Sequence, residues 1–188
     1  MKRIASVILT GALILSMGAA AFAATPSKTV ADEIKADVAV ETTGFDRVSI
    51  STEETEATVA QSAEVVKELA SSTEELKKTV DATAEEKIEI IAVRTVINKQ
   101  TPLFNRTEAT ASLSSAVIDA ACTENEQVTV LVMVPVVGKD GTVTYEKIAV
   151  TSGVVKDGKV QVKLTGALLK KIGKRKVTLV AIKKIAKV

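Results

Sequence analysis

The sequence predicts an α+β fold in which a cleaved signal peptide and an acidic helical region precede a mainly antiparallel five-stranded sheet, or small sandwich, with one inserted helix. Three observations carry that prediction. Residues 84–188 hold five runs rich in β-branched residues, most of them separated by Gly-containing turns. Residues 52–80 are rich in Glu, Ala, Thr and Lys and contain neither Gly nor Pro. The first residues, Lys2 and Arg3, lead into an apolar run from Ile4 to Met17 and an Ala-rich exit.

That opening has the layout of a secretory signal peptide, with Ala21-Phe22-Ala23 fitting a peptidase that accepts small side chains, so cleavage is expected after Ala23. An uncleaved anchor is the alternative, but Gly18 and the alanines end the apolar stretch too early to span a bilayer comfortably. The only cysteine is Cys122, far from the signal, so a lipoprotein anchor is excluded. The working chain is then exported and bacterial in style, either secreted or at the cell surface, with the periplasm as the alternative. No later run is long and apolar enough to form a transmembrane segment.

Residues 24–50 read as a weakly structured leader in which Val38 and Val40 alternate as in a short strand. Residues 51–83 form the acidic helical region: Ser51 and Glu54 have capping-box spacing, and Val59, Ala63, Val66, Ala70, Thr73, Leu76 and Val80 recur on one helical face. Ser71 to Glu75 repeats the capping chemistry, so two helices with a break near Ser71 are expected. Val59, Val66, Thr73 and Val80 sit seven apart, the spacing of a coiled coil, but Ala and Thr at the intervening positions give a thin seam. An amphipathic helix packed on its own domain, outside the sheet or against its edge, is the better reading.

Within residues 84–188, Glu86 to Asn98 is a near-continuous β-branched strand. Pro102 closes it, and Asn105 with Glu108 is expected to cap a helix from Arg106 to about Cys122, with Ala109, Leu113, Ala116, Val117 and Ala120 turned inward. Val128 to Val137, Val143 to Thr151 and Val160 to Leu164 then form a meander through turns at Lys139-Asp140-Gly141 and Lys156-Asp157-Gly158. The apolar phase slips near Glu146, which predicts a bulge. Thr165 and Gly173 bracket a short helix, and Lys176 to Ile185 is the last strand.

Composition narrows the chemistry. The chain is 46% hydrophobic but 2% aromatic, with no Trp and one Tyr, so the core is aliphatic and stacking platforms for sugars or single-stranded nucleic acid are nearly absent. Export makes nucleic acid a poor partner in any case. There is no histidine, hence no imidazole proton shuttle or metal ligand, and no spacing of Cys and carboxylate that suits zinc. Cys122 lacks the base a nucleophilic thiol needs and reads as a small buried filler. Phosphate-loop and nucleophile-elbow motifs are missing. No catalytic, cofactor or metal residue is assigned, and the expectation is a non-enzyme. Glu53, Glu54, Glu74, Glu75, Glu85 and Glu86 read as solvated faces and caps, though a hydrolase using carboxylates brought together by folding stays open as an alternative.

Charge is the remaining signal. Residues 24–126 carry 20 acidic and 10 basic side chains, whereas residues 127–188 carry 3 acidic and 13 basic. The basic set Lys170, Lys171, Lys174, Arg175, Lys176, Lys183, Lys184 and Lys187 is the candidate contact for an anionic cell-wall polymer or another surface protein. Solubilising strand ends is its alternative role. The functional expectation is an exported non-enzymatic binding or structural module. A surface assembly subunit, resting on the seven-residue spacing, is a further alternative.

Overall fold

A computed structural model of the protein describes residues 36–43, 50–99 and 108–186. The expected signal peptide, the Asn105 cap and Lys187 lie outside the described residues. The chain forms β1 (Asp37–Thr43), β2 (Ile50–Ser51), α1 (Glu56–Ser71), α2 (Thr73–Thr79), β3 (Lys87–Asn98), β4 (Glu108–Ser114) and α3 (Ala116–Ala121). It continues with β5 (Gln127–Val137), β6 (Val143–Lys156), β7 (Lys159–Leu164), α4 (Gly166–Ile172) and β8 (Lys176–Ile185).

All eight strands belong to one antiparallel sheet in the order β1-β4-β7-β6-β5-β8-β3-β2. The sheet curls until β3 and β4, each second from an edge, touch across the gap. There the Ser115 hydroxyl donates to the carbonyl of Ile91. The result is a nearly closed, barrel-like sheet, which corrects the expectation of a five-stranded sheet or sandwich with an inserted helix and a separate acidic helical region.

The five expected strands are present as β3, β5, β6, β7 and β8; the difference lies in what joins them. Residues 108–114 belong to the expected Arg106–Cys122 helix, whose stripe Ala109, Leu113, Ala116 and Ala120 fit. Instead they form β4, in which Ala109, Ala111 and Leu113 are buried and Thr110, Ser112 and Ser114 are half-buried. Period two and period 3.6 share positions 109 and 113, so only Ala111 discriminates, and alanine is too small to announce its side. The ladders decide: β4 pairs with β1 on one side and β7 on the other, giving its backbone partners along both edges. Only Ala116–Ala121 remains helical, anchored by the buried Ile118. In the leader, the Val38 and Val40 alternation is a strand, with Val38 opposite Leu113 and Val40 opposite Ala111.

The sheet has two apolar faces. The inner one is filled by side chains such as Val130, Val132, Val160, Val162, Leu164, Leu179 and Ile118, with Leu169 and Ile172 of α4 closing one end. The outer one, on β3, β5 and β8, presents Val93, Leu131, Met133, Val180 and Ile182 to Val65, Val66 and Leu76 of α1 and α2 and to Val80 just after them. The acidic helices therefore cover the sheet rather than standing apart from it. The buried stripe of α1 is Thr58, Gln61, Ser62, Val65 and Val66; of the residues spaced seven apart, Val66 and Val80 pack on the chain's own sheet and Val59 is 43% exposed.

Polar side chains set the helix on the sheet. The hydroxyls of Ser62, Thr95 and Thr178 are linked in series at 2.8 Å, Gln61 donates to Thr178 at 3.0 Å, and Ser62 also bonds the carbonyl of Thr58. Each group is buried and satisfied, so the cluster fixes the helix register at little desolvation cost. The helix starts at Thr55, whose side chain and that of Thr58 cap each other's backbone. Ser51 is taken up in the β2 ladder, and Glu54 pairs with Arg94 at 3.3 Å. The break between helices occurs at Ser72, next to the expected Ser71, but without a side-chain cap on α2.

The turn after β6 and both ends of α4 form as the sequence predicts, whereas the Ser51–Glu54 capping box is replaced by Thr55 and Thr58. Asp157 and Gly158 both have positive φ, the backbone of a two-residue hairpin turn. Thr165 accepts from the Leu168 amide, and Gly173 ends α4 at φ 61°. The bulge falls at Ile148, skipped between the pairs Val132–Ala149 and Met133–Lys147, two residues from the expected position.

Candidate anionic-surface interface

The antiparallel order brings α4, the start of β8 and the end of β3 to one end of the barrel. Lys170 and Lys171 occupy the last turn of α4, Lys174 and Arg175 the connection, and Lys176 the first position of β8. The Arg175 side chain folds back on the helix, donating to the carbonyls of Ile172 at 2.9 Å and Lys171 at 2.6 Å, a favourable placement at the negative end of α4. Its own carbonyl accepts from the Asn98 amide, which ties the connection to the end of β3 and brings the exposed Lys99 alongside. Lys171 donates to the carbonyl of Ile148, holding α4 across the barrel mouth.

Among the described residues, the ion pairs are Arg94–Glu54, Lys163–Glu108 and Lys183–Glu126. None of them involves Lys170, Lys171, Lys174, Arg175 or Lys176. Lys170, Lys171, Lys174 and Arg175 are exposed and Lys176 is half-buried, so five cations gather where α4 passes into β8, two of them bonded to backbone carbonyls and none ion-paired to a carboxylate among the described residues.

Lys183 and Lys184 of the expected set lie elsewhere. Lys183 is seven positions along β8 from Lys176, roughly 24 Å away at the opposite end. It is bound to Glu126 at 2.8 Å and donates to the carbonyl of Ala121. Burial alone would raise the Glu126 carboxyl, but hydrogen bonds from Lys183 and Thr123, with the Lys183 charge, outweigh it and hold the group below the usual carboxylate range. Lys184 reaches the Asp81 carbonyl at 3.5 Å. The seven described residues of the set thus divide into a basic end of five and a structural pair. Sequence reasoning missed Lys99, which only the β3–β8 pairing places near the cluster.

One cleft lies on the outer face where α1 and α2 meet β5 and β6, with a volume of about 230 Å³ and walls that include Glu68, Glu75, Leu131, Met133, Tyr145 and Lys147. It is the place where carboxylates could act together. Glu68 is engaged there by the Tyr145 amide at 3.2 Å, and Lys147 donates to Thr79. Burial pushes the Tyr145 phenol up, and the charges of Glu64 and Glu68 add to that shift. The described residues contain no group of three or more Cys, Asp or Glu placed to hold a metal. Burial likewise raises the Cys122 thiol, which outweighs the opposing Lys183 charge and disfavours a reactive thiolate. No helix of the described residues is long and apolar enough to cross a membrane. No known family model, curated protein or solved structure matches this chain.

Proposed function

We propose that this chain is an exported, non-enzymatic binding module that associates with an anionic cell-surface polymer through Lys170, Lys171, Lys174, Arg175 and Lys176. The observation that carries the reading is their convergence on one barrel end with no carboxylate partner among the described residues. A cluster of this kind attracts a polyanion through charge and counterion release, with little demand for shape. The scarcity of aromatic residues argues for a charged partner over a stacked sugar.

The test is chromatography of the exported chain on immobilised poly(glycerol phosphate) under a salt gradient. Retention at low salt is expected, with elution shifted to lower salt in the combined variant Lys170→Gln, Lys174→Gln, Lys176→Gln. Passage of the unaltered chain without retention, or identical elution of the two proteins, contradicts the reading.

A further inference from the structure

The same barrel end carries a second feature, which the charge does not explain. β5 pairs with β8 only from Thr129 to Met133, and the register of Met133 opposite Thr178 sets Lys176 level with Pro135. Val136 and Val137 therefore run on past the start of β8, paired only with β6, and the hairpin leaves the sheet as an arm of about 13 Å counted from Met133. Pro135 has no amide hydrogen with which to extend a ladder toward β8. At the arm's tip Val137 is 68% exposed and stands opposite Val143, itself 49% exposed, while Val136 is 37% exposed on the other face. The turn that joins them is polar and locally satisfied, with Asp140 accepting from both the amide and the hydroxyl of Thr142. With Lys139 beside Asp140, the turn carries no net formal charge.

We infer that this hairpin tip inserts its valines into the interface of an anionic lipid bilayer while the neighbouring cations of α4 and β8 lie against the headgroups. An exposed apolar tip beside cations that form no ion pair among the described residues is complementary to a surface that is apolar beneath an anionic layer. Three valines offer far less area than the roughly 800 Å² per partner that a stable protein interface needs. A symmetric contact with a second copy would bring two basic ends together. The role of the flanking cations rests on the proposed anionic contact, whereas insertion rests on the hairpin alone.

The experiment is flotation of the exported chain with vesicles of phosphatidylglycerol and phosphatidylcholine, run beside the poly(glycerol phosphate) column. The unaltered chain is expected to float with these vesicles and not with pure phosphatidylcholine. The double variant Val137→Ser, Val143→Ser, which adds no charge, should lose vesicle affinity by roughly tenfold or more while eluting unchanged from the column. Because the chain has no Trp, Val137→Trp supplies a single reporter whose emission should shift to the blue on vesicle addition, whereas Lys87→Trp at the opposite end should not respond. Absence of flotation, equal flotation of the double variant, or an unshifted Val137→Trp spectrum overturns the inference. Column retention without flotation defeats only the bilayer contact, and flotation without retention defeats only the polymer reading.

Discussion

Single residues settle questions that the pattern of the chain leaves open. Thr95 is fully buried between Ser62 and Thr178 and satisfies both hydroxyls. Thr95→Val keeps the shape but takes one of two partners from each neighbour, leaving Ser62 bonded to the Thr58 carbonyl and Thr178 to Gln61, so a loss of about 1–2 kcal/mol is expected in chemical denaturation. Serine and threonine read as surface in a sequence, and nothing local marked these three as a buried set; they become one only when α1 lies on β3 and β8. Glu126 shows the reverse case, an exposed-looking acid with a fixed partner. Its lowered carboxyl contributes stability that is present above the unfolded pKa and is lost as pH falls through the folded value. Glu126→Gln should remove part of the acid-side slope in thermal melts measured across that range and cost about 0.5–1 kcal/mol at neutral pH, since the pair remains partly solvated.

At the scale of elements, legibility followed the strength of the period. β3, β5, β7 and β8 were clear because β-branched side chains fill their buried positions, and α4 was clear because Thr165 and Gly173 mark both ends. β4 was misread because its inward side chains are mostly alanine, which serves either period, and because its strand partners lie some 70 residues upstream and 50 downstream, roughly, where no local window reaches. Ala111 separates the two readings. On the expected helix it faces solvent, whereas in β4 it is wholly buried. Ala111→Lys should therefore destabilise by at least about 3 kcal/mol, or prevent folding, through an unpaired buried charge. Ala111→Ser, small and neutral, is expected to fold. Tolerance of lysine at position 111 would restore the helix. A smaller effect belongs to the cap of α4: Thr165→Ala should cost about 1 kcal/mol and loosen the connection that carries the basic residues.

Over the whole molecule, the charge division of the sequence is only partly kept in space. The acidic half supplies helices that cover the outer face as well as strands β1 to β4, so acidic and basic segments interleave around one sheet. What survives is local: five cations gathered at α4 and β8, while Lys183 and Lys184 are drawn to the far end by the direction of their strand. The contiguous run Lys170–Lys176 was legible because it needs no topology to bring it together; the proximity of Lys99 and the hairpin tip was not, because it depends on registers between distant strands. The proposed role of that end is tested most directly in the native host, by washing intact cells with buffers of rising salt and following the chain in pellet and wash. The expected result is a cell-bound protein that concentrated salt releases, with the Lys170, Lys174, Lys176 triple glutamine variant already free at low salt. A chain that stays with the cells at every salt concentration, or a triple variant that remains bound as tightly as the unaltered protein, would contradict an electrostatic hold on the cell surface.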